Sequence, residues 1–308
     1  MALAGKDLLG LRGISREEIT QILDLASEMK QNICQAGKKA DRLLGKQVVT
    51  LFFENSTRTR TSFESAARRL SADVLVLDVA TSSVQKGETL IDSGKNIDAM
   101  GVDAIVIRHP HSGAPALLAS QVRAAVINAG DGMNEHPTQA LLDMMTMRER
   151  FGTLSGLHVV IAGDIYHSRV ARSNLWGLQK MGATVSFAAP ATLMPAGIEA
   201  GGARVYTDLD AAVRDADVVM GLRIQRERQH SGLLPSVGEY SRFYGITPER
   251  LAQAKPHCIL MHPGPFNPGV EMALGLPEAP QSVIFEQVTN GVAVRMAVLA
   301  LLIEGGKA

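Results

Sequence analysis

Cysteine is scarce: the 308 residues include two, Cys34 and Cys258, far apart in the chain. They form neither a CxxC pair nor a disulfide framework, which disfavours a structural zinc site and points to a reducing, cytoplasmic setting. Excess charge of either sign is missing as well, with 31 Lys and Arg against 31 Asp and Glu. No global field therefore draws the chain to nucleic acid or to an anionic membrane, and any anion site has to be local. Long apolar runs are also lacking. Residues 1–11 fall short of a signal peptide's apolar core, and the late run at 292–303 is interrupted by Arg295 and too short to span a bilayer. There is no internal repeat, low-complexity tract or heptad series.

What is present suits an ordinary α/β protein. With 46% hydrophobic and 20% charged residues, the chain has apolar side chains enough for two cores, and its length favours two domains of about 150 residues. Apolar runs of strand length fall at 48–53, 74–79, 104–107 and 124–127, then at 157–162, 184–188, 218–222 and 258–261, separated by helix-period segments. That alternation predicts two lobes, each a doubly wound parallel sheet flanked by helices, with the active site in the cleft between them. A helix over 137–150 bridges them, giving domains at 1–150 and 151–290. The last helical pattern, 291–303, is expected to pack back on the first lobe.

The densest local signal is Phe53-Glu54-Asn55-Ser56-Thr57-Arg58-Thr59-Arg60-Thr61-Ser62-Phe63-Glu64, directly after the first run. Phe63, Ala66, Ala67 and Leu70 recur at helical spacing, so a helix is expected to begin near Thr59. Backbone N–H groups at a helix start favour an anion, and Ser56, Thr57, Thr59 and the Arg58 fork supply a phosphate-binding inventory. The same residues also read as plain helix capping, with Thr61 and Glu64 as a capping box and solvated arginines.

Other strand ends carry chemistry too. Arg108 closes the third run, where open parallel sheets bind ligands. His136 and Gln139 flank the entry to the bridging helix, with Pro137 at an early helical position. Arg223 follows the run 218–222, and strand alternation puts Gln225 on its side. Residues 159–173 read as strand, turn and helix start, but without GxGxxG the glycine geometry for a dinucleotide is not supplied. The polar segment 81–89 reads by itself as a surface loop with Lys86 solvated.

The string STRTRTSFE after an apolar strand resembles the carbamoyl-phosphate loop of the aspartate and ornithine carbamoyltransferases. HPTQAL at 136–141, KGET at 86–89, GDxxxSRVARS at 163–173, RxQxER at 223–228 and HPGPFN at 262–267 extend the likeness over nearly the whole chain. The resemblance implies that Ser56, Thr57, Arg58, Thr59 and Arg108 hold the phosphate of carbamoyl phosphate. Arg58, Thr59 and His136 would be catalytic, donating to its carbonyl oxygen. Gln139 and the backbone of Pro263, Gly264 and Pro265 would hold its amide. Arg169, Arg223, Gln225 and Lys86 would bind L-aspartate, with Ser82 and Lys86 reaching in from a neighbouring subunit. Related sequences often carry arginine after the Asn of HPGPFN, whereas Pro268 stands here.

The reaction so implied needs no cofactor or metal, because carbamoyl phosphate is already activated. Its product would be N-carbamoyl-L-aspartate, on the route to UMP and the pyrimidines. The resemblance also implies a homotrimer with shared sites, compatible with a larger assembly that includes a regulatory chain or a dihydroorotase. The ornithine branch is disfavoured, since its SMG run and HCLP loop are absent and two arginines suit a dianionic amino acid. A non-catalytic scaffold of the same fold should have lost site residues, and none of these positions is replaced.

Overall fold

The computed structural model describes residues 3–78, 88–225, 233–234 and 236–305. The chain forms two compact units, one made of the chain up to Met145 with the segment from Thr289 onward, the other of Thr146–Val288. It leaves the first unit inside the helix Pro137–Phe151, upstream of Phe151, and returns inside the helix Ile284–Gly305.

In the first unit, β1 (Gln47–Phe52), β2 (Asp73–Asp78), β3 (Ala104–His109) and β4 (Ala125–Asp131) form a parallel sheet in the order β2-β1-β3-β4. β4 is buried at every position, and β1 at all but its first, as the apolar runs require. Val49, Leu51, Ile105, Ile107 and Val126 pack with Ile97 and Leu118 into the core. The N-terminal segment covers the outer edge of β4: Leu8 N–H donates to Val126 O at 3.0 Å, and Asn128 N–H donates to Leu8 O at 2.9 Å.

In the second unit, β5 (His158–Ala162), β6 (Thr184–Ala188), β7 (Arg204–Tyr206), β8 (Val218–Gly221) and β9 (Ile259–Met261) are also parallel, in the order β7-β6-β5-β8-β9. Val160, Val219 and Leu260 pack against Leu209, Ala212, Ile246 and Leu251. β7 has no counterpart among the sequence runs. It is a short edge strand, too brief to stand out as an apolar stretch.

In each sheet the strand order reverses beside the first strand, so β1 lies between β2 and β3, and β5 lies between β6 and β8. Crevices outside the carboxyl ends of strands at such reversals are where open α/β sheets bind ligands. The last helix is longer than its apolar pattern: at 22 residues it is long and apolar enough to cross a bilayer, but 72% of the relevant window is buried in the fold. Burial, not insufficient length, makes it a core helix.

Away from the strand ends, Asp217, just before β8, fastens the opposite side of the second sheet. Its carboxylate accepts from His158 N–H at 2.8 Å, Lys255 Nζ at 2.9 Å and His257 Nε2 at 2.9 Å. Burial pushes this carboxyl up, and those bonds outweigh it, holding it below the usual value. A depressed folded pKa stabilises the folded state above the unfolded pKa and loses that contribution as the solution is acidified. Asp217→Asn is therefore expected to cost about 1.5 kcal/mol near neutral pH. The gap from the parent should shrink as pH falls below about 4. Urea unfolding followed by the single tryptophan, Trp176 in the same unit, checks both points.

Candidate active site

The register of the first sheet brings the phosphate motif together. Phe52 pairs with Arg108, and His109 pairs with Asp131, so the carboxyl ends of β1, β3 and β4 lie side by side. From β1 the chain turns into the helix Thr57–Arg69, which begins at Thr57 rather than near Thr59 because its first turn precedes the apolar stripe. Its N-cap, Ser56, makes no side-chain capping bond, whereas Ser15, Thr89 and Ser168 cap their helices. The alternative capping box does not form either: Glu64 pairs with Arg60 at 3.6 Å. A helix start leaves its first N–H groups without intrahelical acceptors, and here the Ser56 hydroxyl does not take them. Thr59 is buried, while Thr57 and Arg58 are exposed.

Arg108 is aimed by two contacts. Its Nε donates to Glu54 Oε2 at 3.2 Å, and its Nη1 donates to Ala129 O at 3.3 Å. Glu54 is thus paired with Arg108 at the carboxyl end of the sheet. Beside it, burial and the neighbouring His111 hold the His109 imidazole below its usual pKa, and His109 Nδ1 accepts from His111 N–H at 3.0 Å.

The loop that delivers His136 is built around Asp131, which is 1% exposed. Its carboxylate accepts from Gly113 N–H at 2.7 Å, Asn128 Nδ2 at 2.8 Å, Asn134 Nδ2 at 3.0 Å and Glu135 N–H at 3.1 Å. Glu135 in turn accepts from Leu11 N–H at 2.7 Å, fixing the residue next to His136. His136 is buried at the helix entry, and Gln139 in the first turn donates from Nε2 to Asp143 Oδ1 at 2.9 Å.

The second unit repeats the logic with different side chains. Ala162 pairs with Gly221, and Met220 pairs with Met261, so the ends of β5, β8 and β9 are neighbours. Gly163 has φ 137°, and a Cβ there would lie 2.4 Å from Leu222 O, so the close approach needs glycine. Arg169 opens the helix Arg169–Lys180 and is 5% exposed, behind a Ser168 cap that accepts from Ala171 N–H. β8 stops at Gly221, so strand alternation does not orient Arg223 and Gln225. Buried carboxylates do that instead. Glu271 accepts from Ile224 N–H at 2.8 Å and from Asn267 N–H at 2.9 Å, and Gln225 Nε2 donates to His167 O at 3.3 Å. Asp164 holds the His167 ring at 2.9 Å.

After β9, His262 N–H donates to Gln287 Oε1 at 2.9 Å, and Gly264 N–H donates to His262 Nδ1 at 2.8 Å. Among the described residues none donates to the carbonyls of Pro263, Gly264 or Pro265. Each unit therefore carries its expected residues along one sheet edge. Ser82 and Lys86 lie outside the described residues. Sequence reasoning assigned no role to the organising acids Glu54, Asp131, Asp143, Asp164 and Glu271. An acid at the end of an otherwise apolar strand, as at Asp131, was the available signal.

Residues 6–149 match the family model of the aspartate/ornithine carbamoyltransferase carbamoyl-P binding domain, and residues 155–302 match that of the Asp/Orn binding domain. The chain belongs to the aspartate/ornithine carbamoyltransferase family. It is 60% identical over 302 residues to the aspartate carbamoyltransferase catalytic subunit of Acetivibrio thermocellus, covering 98% of this chain and 97% of that one. Among solved structures, the aspartate transcarbamoylase of Trypanosoma cruzi in complex with N-(phosphonacetyl)-L-aspartic acid superposes with a TM-score of 0.88 at 33% identity, covering 97% and 96% of the two chains. Ornithine carbamoyltransferase from Thermus thermophilus reaches 0.87 at 28% identity, covering 97% and 99%.

Asp131→Asn tests the hub of the first half-site. Every contact to its carboxylate comes from an N–H donor, so the new amide must turn its own donor toward at least one of them. The substitution is expected to cost about 3 kcal/mol in thermal unfolding. It should also weaken inorganic phosphate binding in a calorimetric titration.

Proposed function

We propose that this chain is an aspartate carbamoyltransferase that transfers the carbamoyl group of carbamoyl phosphate to the amine of L-aspartate, a step of pyrimidine synthesis. The observation that carries the reading is the β1–β3 register, which sets Arg108 beside a helix start whose N-cap side chain leaves the backbone donors to a ligand. The fold by itself does not choose between aspartate and ornithine, since TM-scores of 0.88 and 0.87 are equivalent. The choice rests on the second unit, where Arg169 and Arg223 suit two carboxylates, and on 60% identity to a named catalytic subunit.

Ser56, Thr57, Arg58, Thr59 and Arg108 hold the phosphate, and the neutral amine of aspartate attacks the carbamoyl carbon. Negative charge then builds on the carbonyl oxygen, where Arg58, Thr59 and His136 donate, an oxyanion-hole effect supplied by fixed dipoles and one guanidinium. The C–O bond to phosphate breaks, and the amine proton passes to a phosphate oxygen, so no protein base is required. Gln139 and the carbonyls of Pro263, Gly264 and Pro265 hold the carbamoyl NH₂. Arg169, Arg223, Gln225 and Lys86 orient the two carboxylates, and positioning supplies much of the remaining acceleration.

A homotrimer with Ser82 and Lys86 supplied from a neighbour, working in the cytoplasm, belongs to the same proposal. Edge strand β2 supports assembly: it exposes Leu75, Val76 and Leu77 and leads directly into the segment that carries Ser82 and Lys86. An apolar open edge of this kind favours a partner. A further regulatory chain or dihydroorotase is compatible with it.

Three measurements test the proposal. Arg58→Ala should lower kcat for carbamoyl-aspartate formation by about a hundredfold or more. Arg169→Ala and Arg223→Ala should raise the aspartate KM while leaving phosphate binding intact, and turnover with ornithine instead of aspartate would overturn the reading. Mixing inactive Arg58→Ala chains with inactive Lys86→Ala chains should restore activity if the site is shared. Continued inactivity of the mixture would refute the sharing.

A further inference from the structure

We propose that Asp143 and Arg295 are positioning residues that force the Gln139 amide to present its oxygen, so that the first unit distinguishes a carbamoyl NH₂ from other acyl groups. The inference rests on the carbamoyl-transfer reading and adds the origin of its selectivity for carbamoyl phosphate.

The geometry starts from Asp143, which is fully buried one helical turn beyond Gln139. Gln139 is 8% exposed, and the 2.9 Å contact between the two side chains joins Gln139 Nε2 to Asp143 Oδ1. An ionised carboxylate only accepts, so whichever way the amide turns, its NH₂ must face Asp143 and its Oε1 must face elsewhere. The oxygen is what a carbamoyl NH₂ needs. Were the amide reversed, two NH₂ groups would oppose each other.

That enforcement holds only while Asp143 is charged, and the buried Arg295 guanidinium lies in its field. Arg295 comes from the helix Ile284–Gly305 and is 4% exposed. Its Nη1 donates to Ser62 Oγ at 2.8 Å, its guanidinium carbon lies 5.1 Å from the Phe63 ring centre, and its Nε has no hydrogen-bond partner. Burial lowers its pKa to about 10, and the field of Asp143 opposes that drop, so the side chain remains a cation at neutral pH. Gly291, one turn earlier, leaves room for it: a Cβ there would sit 2.6 Å from Nη1. A buried guanidinium is expensive, and an apolar side chain of similar length would pack on Phe63 without that cost. Through Ser62 and Phe63, Arg295 also ties the helix of the phosphate loop to the last helix of the chain.

The test compares ligands that differ at the carbamoyl nitrogen. Acetyl phosphate places a methyl group where carbamoyl phosphate has NH₂, and inorganic phosphate has neither. In Asp143→Asn the partner can accept or donate, so Gln139 loses its enforced orientation. The KM for carbamoyl phosphate should rise roughly tenfold, while inhibition by acetyl phosphate and binding of inorganic phosphate stay within about twofold of the parent. Arg295→Lys should keep the discrimination, and Arg295→Met should lose it. In a Gln139→Ala background, Asp143→Asn should have no further effect on the carbamoyl phosphate KM. Parallel weakening of all three ligands, or no change in any, would overturn the proposal and leave Asp143 a structural residue. Absence of turnover by the parent chain would sink the functional reading itself and is a separate result.

Discussion

Each half of the chemistry depends on the reversal of strand order beside β1 and again beside β5. A strand pairs with its neighbours by backbone hydrogen bonds about 4.8 Å apart, so two loops leaving adjacent carboxyl ends start within reach of one ligand. At the reversal the connecting helices diverge to opposite faces of the sheet, which leaves the crevice open. In the first unit the arginine at the end of β3 thereby comes beside the helix start after β1. In the second, the Arg223 loop comes beside the Gly163 turn, close enough that a Cβ would strike Leu222 O. Neither pairing is local in sequence.

Parallel sheets position loops but do not shape them, and in this protein buried carboxylates supply the shape. Asp131, Asp164 and Glu271 each accept several N–H donors, so one side chain fixes a whole turn through charge-assisted bonds. An acceptor-only group also tolerates no reversal of the donors around it, which gives a loop one conformation rather than several. The cost is desolvation, and it is offset where several donors converge.

Sequence was informative where the signal is local. Apolar runs mark eight of the nine strands among the described residues to within a few residues, because most of them are buried in their sheets and the exposed edge strand β2 is itself apolar. β7 escaped because its three residues, Arg204, Val205 and Tyr206, make no such run. The phosphate helix, expected to begin near Thr59, starts two residues earlier because periodicity registers only the buried stripe, while the first turn, Thr57 and Arg58, faces outward. Alternation does not reach Gln225, because the strand ends at Gly221 and Glu271 and Asp164 hold the backbone beyond it. Acids that act across long separations, such as Glu271 on Ile224, leave no periodic trace.

The same distinction explains why fold likeness stops short of substrate. The phosphate half-site needs a helix start, a cation on the adjacent strand and a donor for the carbonyl, and these serve any carbamoyl transfer alike. The proposed amino-acid half-site consists of a few side chains on loops after β5 and β8, whose exchange would leave both sheets unchanged. Superposition is therefore as close to an ornithine enzyme as to an aspartate one. On the function proposed above, cationic forks at Arg169 and Arg223 fit two carboxylates and would repel an ammonium group, so the charge of those loops, and not the path of the backbone, would decide which amine is carbamoylated.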